Sequence, residues 1–198
     1  AGGSKNIDPN TETARLLRSQ LRTKSQLKVI DSDALSLVDE VDKRRGTAPA
    51  QPADEPKIKS EKDLEPYEEI FKDAEYWKKL GEEFQGPLII TGTVLFSPLS
   101  TAGYVPVEQE YFDQLGRRRV IQRRVYQERK GFTLQPKLIY IDGRTGATLY
   151  SETLREEILY NAQQNTPALS SYFELMDKLI PSFLNTLSMQ KIRGTRML

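Results

Sequence analysis

Apolar residues recur at helical spacing in three parts of the chain. Residues 11–23 carry a narrow apolar stripe opposite a row of arginines, which predicts an amphipathic helix. The strongest stripe covers residues 66–85 and predicts a long helix that ends at Gly86. The third helix is predicted over residues 168–187, where Pro181 interrupts the pattern and predicts a kink or a split.

Other segments have the spacing and composition of strands. Leu27–Asp31 is short and β-branched, and 132–141 is a second strand candidate. The run at 88–96 is almost continuously apolar, which is typical of a strand buried on both faces, and it is the predicted central strand. A glycine-containing turn followed by a return strand predicts a hairpin over 142–154, and residues 189–193 form a predicted edge strand.

These elements predict an α/β fold with a mixed, largely antiparallel sheet packed with two to three helices. We expect a flexible amino-terminal end at 1–10 and a single α/β domain at 11–198. A short helix is predicted at 35–41, followed by a polar, proline-rich loop at about 42–66. The segment at about 99–130 is predicted to form a basic hairpin arm.

Composition excludes several kinds of chemistry. The 198 residues include no cysteine and no histidine, which removes thiolate and imidazole metal sites, disulfides and histidine-based catalytic triads. The glycine-containing turn at 142–146 has no Lys-Ser/Thr pair, which a phosphate-binding loop requires. Most carboxylates lie in loop sequence, which does not hold two of them at the spacing that glycoside hydrolysis needs. We therefore predict a protein that is not an enzyme and that has no catalytic residues, no cofactor and no metal ion. An enzyme remains the third alternative, and it would need polar groups that converge on one pocket.

The whole chain is nearly neutral, with 29 basic and 28 acidic residues, but its charge is unevenly distributed. Segment 31–69 is acidic, whereas 111–130 has a net charge of about +5. In a strand, the bases of this segment would alternate between the two faces. One interpretation is that this basic segment binds a partner molecule. The alternative is a solvated arm whose charges balance the acidic segment 31–69. The candidate interaction residues of the basic segment are Arg117, Arg118, Arg119, Arg123, Arg124 and Tyr126.

Two adjacent aromatic residues lie in the long predicted helix. Trp77 matches the apolar stripe and is predicted to lie in the core. Tyr76 lies on the flank of the stripe and is a further candidate interaction residue, because an exposed tyrosine is common at interfaces.

Three short motifs carry a resemblance to known proteins. They are Leu27–Asp31 after a polar helix, Leu88–Val94 after a second helix, and Asp142–Leu149 at a hairpin. In this order they resemble the bacterial envelope family that includes CsgG-like lipoproteins and the amino-terminal domain of TolB. The resemblance implies an α/β sandwich of the TolB amino-terminal kind.

The same resemblance implies a function in assembling the cell envelope. It implies protein partners in secretion, pilus, flagellar or wall-synthesis machinery, and a homo-oligomer or a larger complex. It also implies a periplasmic, outer-membrane-associated location with a lipid anchor upstream of Ala1, because the chain itself has no cysteine. Nucleic acid is not the expected partner, but a nucleic-acid or anionic-polymer binder that uses 117–130 is the alternative.

Overall fold

The computed structural model describes residues 8–30, 37–46, 58, 60–161 and 166–187. Within these ranges the chain forms five α-helices, one 3₁₀ turn at Glu61–Leu64 and four strands. In chain order the helices and strands are α1 (Pro9–Lys24), α2 (Leu37–Arg45), α3 (Glu65–Lys72), α4 (Ala74–Glu83), β1 (Leu88–Phe112), β2 (Arg118–Asp142), β3 (Thr148–Thr153), β4 (Glu156–Asn161) and α5 (Ala168–Leu187).

All strand pairings in the described part of the chain are antiparallel, and β2 is at the centre. One edge of β2 pairs with β1, and the other edge pairs with β3 and β4 in succession. The predicted α/β class with a largely antiparallel sheet is therefore confirmed. The prediction that 88–96 is the central strand is wrong, because β1 pairs only with β2 among the described residues.

Helices cover both faces of the sheet where β1 and β2 meet the body of the molecule. Val94 and Leu134 pack against α5 and α1, whereas Leu95 and Ile139 pack against α2, α3 and α4. Neighbouring residues of a strand point to opposite faces, so a sheet covered on both sides needs apolar residues at consecutive positions. This burial explains the nearly continuous apolar run in the first half of β1. Five helices provide this cover in the described part of the chain, whereas two to three were predicted.

The predicted single helix at 66–85 is two helices, α3 and α4, separated at Asp73. The Asp73 carboxylate accepts the backbone N–H of Tyr76 and caps the start of α4, a position that aspartate prefers to a helix interior. Trp77 is buried as predicted, and its Nε1 donates a hydrogen bond to the Ile70 carbonyl at 2.8 Å across the break. The break therefore leaves no unsatisfied indole N–H in the core.

Several predictions near the amino terminus need correction. Helix α1 begins at Pro9 and not at Thr11, because the Asp8 carboxylate accepts the N–H groups of the first turn. Residues 8–10 are thus ordered by this cap, within the end predicted to be flexible. Residues 27–30 form no strand, and Asp31 lies outside the described residues.

Both ends of the segment predicted as a loop at 42–66 are helical. Helix α2 extends to Arg45, and the 3₁₀ turn and α3 occupy 61–66. The predicted edge strand at 189–193 lies outside the described residues. Helix α5 runs through Pro181 without being split.

Gly131 allows β4 to approach β2. A β-carbon at Gly131 would lie 1.7 Å from the Ile158 carbonyl oxygen, which is too close for any real side chain. We expect Gly131→Ala to lower the free energy of unfolding by about 1–3 kcal/mol, because the strands must separate locally. Urea unfolding followed by circular dichroism measures this change. Gly103→Ala is the matched control, because nothing lies within 4 Å of that position, and we expect a change within about 0.5 kcal/mol.

Tyr172 joins α5 to α1 through a 2.7 Å hydrogen bond between its hydroxyl and that of Thr13. Burial raises the pKa of Tyr172 to about 12. The folded state therefore holds this proton more tightly than the unfolded state, so the contribution is present below about pH 10 and is lost as pH rises towards 12.

We expect Tyr172→Phe to reduce the loss of stability between pH 10 and 12, measured by urea unfolding at each pH. Tyr104→Phe, at an exposed position, is the control and is expected to keep the wild-type profile. An unchanged profile in Tyr172→Phe would contradict the assignment. Burial also raises the pKa of Tyr140, so part of the alkaline loss remains in either variant.

Candidate functional site

A two-stranded ribbon projects from the body of the fold. The last pair between β2 and β4 is Arg129 with Asn161, so residues 102–112 and 118–128 pair only with each other in the described part of the chain. We call these two segments and the turn between them the β-arm. At about 3.4 Å per residue, eleven residues extend it by roughly 37 Å. It lies within the segment where the sequence predicts a hairpin arm.

The turn at the tip of the β-arm follows from four residues. Asp113 and Arg117 are joined by a 2.9 Å hydrogen bond from the Asp113 N–H to the Arg117 carbonyl. The Asp113 carboxylate also accepts the backbone N–H groups of Leu115 and Arg117, each at 2.9 Å. Gly116 has φ +73°, the left-handed conformation that a three-residue hairpin loop needs at this position. The tip is therefore a defined turn.

The Asp113 carboxylate is the electrostatic centre of this tip. The backbone N–H of Arg117 lowers the pKa of Asp113 most, and the Leu115 N–H and the guanidinium groups of Arg119 and Arg117 lower it further. The carboxylate therefore stays ionised into the acid range and holds two arginines close to the turn.

The hydrogen-bond alternation of the ladder explains how proline fits into such long strands. Because Asp113 and Arg117 form a hydrogen-bonded pair, odd-numbered residues bond across the β1–β2 ladder and even-numbered residues direct N–H and C=O outwards. At the body, the outward N–H of Val94 donates to Asn10 Oδ1 at 2.8 Å, as this alternation requires.

All three strand prolines, Pro98, Pro106 and Pro136, are at even-numbered positions. Their missing N–H groups therefore face away from the β1–β2 ladder and break none of its bonds. Pro136 lies where the outer partner of β2 changes from β3 to β4, which agrees with the edge or bulge position expected of proline. Residues 99–112 thus continue β1 despite their proline and glycine content.

The β-arm carries most of the exposed large apolar side chains in the described part of the chain. Nine of the fifteen lie on it, and the most exposed are Tyr104 at 72%, Phe112 at 73% and Leu115 at 74%. Scattered single residues of this kind are normal on protein surfaces, but a concentration on one projection is typical of a binding surface. The other six are Val107, Tyr111, Val120, Ile121, Val125 and Tyr126.

The predicted interaction arginines lie on both faces of the β-arm. The even-numbered face carries Arg118 and Arg124, and the odd-numbered face carries Arg119 and Arg123. Arg117 lies at the end of the tip turn. The structure therefore does not bring the five arginines together on one surface.

Acidic residues form ion pairs with three of these arginines. Arg118 pairs with Glu110 across the ribbon, and Arg117 and Arg119 pair with Asp113 at 3.3 and 3.4 Å. Arg123 donates a 3.1 Å hydrogen bond to Gln109 Oε1. Among the described residues Arg124 has no ion pair.

The two candidate tyrosines differ in their surroundings. Tyr126 is exposed and packs edge-on against Tyr104, with ring centroids 5.4 Å apart, as cross-strand aromatic pairs do. Tyr76 is half-buried, contacts Trp77 edge-on, and has the Arg44 guanidinium 5.3 Å from its ring centroid. Burial raises the pKa of Tyr76. Tyr76 thus lies half-buried at the flank of the apolar stripe, and its part in an interaction stays a prediction.

Sequence reasoning missed the acidic side of the β-arm. Glu108 and Glu110 lie on β1, in the segment predicted as a basic hairpin arm. The sequence does contain a signal for the turn at the tip. Asp113 and Gly116 have the spacing of turn residues and lie between two strand-like segments.

A cavity of about 280 Å³ lies between the 3₁₀ turn, α3 and the sheet. Glu61, Glu65 and Glu68 line one side of it, and Lys137 from β2 pairs with Glu68. Its lining includes no serine, cysteine or histidine. Thr93 and Thr153 contribute hydroxyl groups, so the polar lining consists of carboxylates, one lysine, one glutamine amide and two hydroxyls.

None of the helices in the described part of the chain combines the length and hydropathy needed to cross a bilayer. No group of three or more potential ligands in that part of the chain is arranged to hold a metal ion.

Comparison of the chain with protein-family models, with curated proteins and with solved structures gives no match. The resemblance to the CsgG-like and TolB-like envelope proteins therefore stays a prediction, and the β-arm is the feature from which a function has to be argued.

Proposed function

We propose that this chain is a non-enzymatic assembly or scaffolding protein of the bacterial cell envelope that binds other proteins through its β-arm. The observation that carries the proposal is the projection of a two-stranded ribbon with nine exposed large apolar side chains. Aromatic side chains at such positions are typical anchors of protein interfaces.

The energetics favour a protein partner over free exposure. A two-stranded ribbon is marginally stable in water, and burying it against a third element would stabilise it. Complete burial of a side chain such as Phe112 or Leu115 contributes about 1.5–3 kcal/mol. These two residues at the tip are the anchors that we expect to matter most.

The attachment of the β-arm suits a scaffold. Its two strands are the same strands that run between the helical layers, so the arm is a continuation of the core and not a loop joined to it. A force or a contact at the tip therefore reaches the body through paired backbone. This continuity supports a role in holding partners at a fixed distance.

The envelope part of the proposal rests on the resemblance. Helix α4 precedes the strand that contains Leu88–Val94, and Asp142–Leu149 joins the antiparallel strands β2 and β3. These positions agree with the family pattern. Leu27–Asp31 gives no such support, because residues 27–30 form no strand. A periplasmic, outer-membrane-associated location is testable by fractionating cells that express the full-length natural gene.

A second candidate function is binding to nucleic acid or another anionic polymer. A two-stranded ribbon fits the major groove of DNA, and Arg124 has no ion pair in the described part of the chain. Against this candidate, acidic residues pair with Arg117, Arg118 and Arg119, and the β-arm's net charge is only modestly positive.

We expect Phe112→Ser combined with Leu115→Ser to weaken partner binding at least tenfold, because two apolar anchors are lost. The measurement is the affinity for a protein captured from envelope extract by the wild-type chain and then purified. The control combines Leu149→Ser and Leu169→Ser, which are exposed apolar positions away from the β-arm. Equal weakening in both double variants, with circular dichroism unchanged, would contradict the proposal.

We expect the chain to bind a DNA duplex only non-specifically, with a Kd of about 10⁻⁴ to 10⁻⁶ M at physiological salt. Fluorescence anisotropy over a salt series gives this value and its slope. Replacing Arg123 and Arg124 by Ser should reduce the slope, because two cations of the β-arm are lost. A nanomolar Kd that these replacements abolish would favour the second candidate.

A further inference from the structure

The two strands of the β-arm have opposite charge. Within the arm, β1 carries Glu108 and Glu110 and no basic residue, whereas residues 118–128 of β2 carry Arg118, Arg119, Arg123 and Arg124 against Glu128 alone. Each strand forms one edge of the ribbon, so the β-arm has an acidic edge and a basic edge.

Both edges have unpaired backbone groups. The outward N–H and C=O groups belong to the even-numbered residues, and beyond Pro106 the edge of β1 offers Glu108, Glu110 and Phe112. Among the described residues, the edge of β2 beyond its last pair with β4 offers the even-numbered residues from Arg118 to Tyr126, none of which is a proline. An edge of this kind is a template for adding another strand.

Two side chains of opposite charge on these edges have no ion pair within the described part of the chain. Glu108 on β1 and Arg124 on β2 both lie on the even-numbered face, and neither forms a hydrogen bond or an ion pair there. Neighbouring Glu110 and Arg118 pair with each other across the ribbon. Arg123 and Glu128 also have no ion pair in the described part of the chain, but Arg123 lies on the odd-numbered face and Glu128 lies beside the last β2–β4 pair. Glu108 and Arg124 are thus the acid and the base without an ion pair near the middle of the two edges.

We propose that the acidic β1 edge of one copy pairs antiparallel with the basic β2 edge of a second copy. The proposal rests on the proposed function and names the partner of the same β-arm. Two arms that project side by side in the same direction bring these strands together in antiparallel orientation, with Glu108 beside Arg124 of the neighbour. Contact between two β2 edges would place arginine against arginine, and like charges directly opposite are destabilising.

This contact joins two different surfaces. After two copies pair, one acidic edge and one basic edge remain free, so further copies can add by the same contact. The assembly therefore grows beyond two copies by repetition of one interface. The apolar side chains on each ribbon face then become neighbours across the new contact.

The absence of cysteine makes a direct test straightforward. Phe112→Cys places a thiol on the β1 edge, and Val120→Cys places one on the β2 edge, without altering a charged residue. The two purified variants are mixed in equal amounts, oxidised with copper-phenanthroline, and separated on a non-reducing gel. We expect a disulfide between the two variants in the mixture and little or none in either variant alone.

Charge reversal is the second measurement. Glu108→Lys in the Phe112→Cys chain should lower the yield of the mixed disulfide about three- to tenfold, because an attraction becomes a repulsion. Glu156→Lys, on β4 and outside the β-arm, is the matched control and should leave the yield unchanged. Circular dichroism establishes that each variant is folded.

Either of two results would overturn this inference: no mixed disulfide at all, or self-linking of one variant as efficient as mixed linking. If the mixed disulfide is missing while the Phe112 and Leu115 double variant still loses its partner protein, the proposed function stands without self-assembly. If the mixed disulfide forms and no other protein binds, the β-arm serves self-assembly alone.

Discussion

The backbone ladder between β1 and β2 is the interaction on which the rest of this structure depends. Each strand is 25 residues long, and the two pair along their whole length. The same ladder serves two environments. In the body it is buried between two layers of helices, and in the β-arm it is exposed on both faces. An exposed two-stranded ribbon is only marginally stable by itself, and its continuation into the buried half of the ladder stabilises it.

Residue choice along the ladder follows this division. In the buried half, apolar residues stand at consecutive positions, as in Val94 and Leu95 or Tyr140 and Ile141. In the exposed half, charged residues are interspersed with large apolar ones, and the one proline stands where its missing N–H faces outwards. Such a pattern preserves the pairing inside the ribbon while limiting what can pair outside it. Pro106 removes one donor from the β1 edge.

The elements with strong local signals could be predicted from the sequence. The α5 stripe, the apolar start of β1 and the Asp142–Gly146 turn are set by side chains close together in the chain. Trp77 was also predictable as a core residue. The prediction of a strand at Leu27–Asp31 failed because a β-branched segment forms a strand only if a partner strand is available. Asp73 divided a helix whose apolar stripe continues past it, because the cap outweighs periodicity at that position.

The interaction surface was predictable only in part. The arginines of 117–130 are visible in composition, but their distribution over two faces and their pairing with Glu110 and Asp113 require the register of the hairpin. The acidic edge depends on the same long-range register. No local pattern reveals that Glu108 and Arg124 lie on opposite edges of one ribbon.

The contact between Asn10 and Val94 has a consequence for the whole molecule. At the body, the side chain of Asn10 in α1 accepts an outward backbone N–H of β1, so this donor is already occupied. A foreign strand that attaches near the tip cannot extend inwards past this point. Strands of other chains therefore cannot extend the sheet along the β1 edge into the body beyond Val94, where Asn10 already binds the backbone.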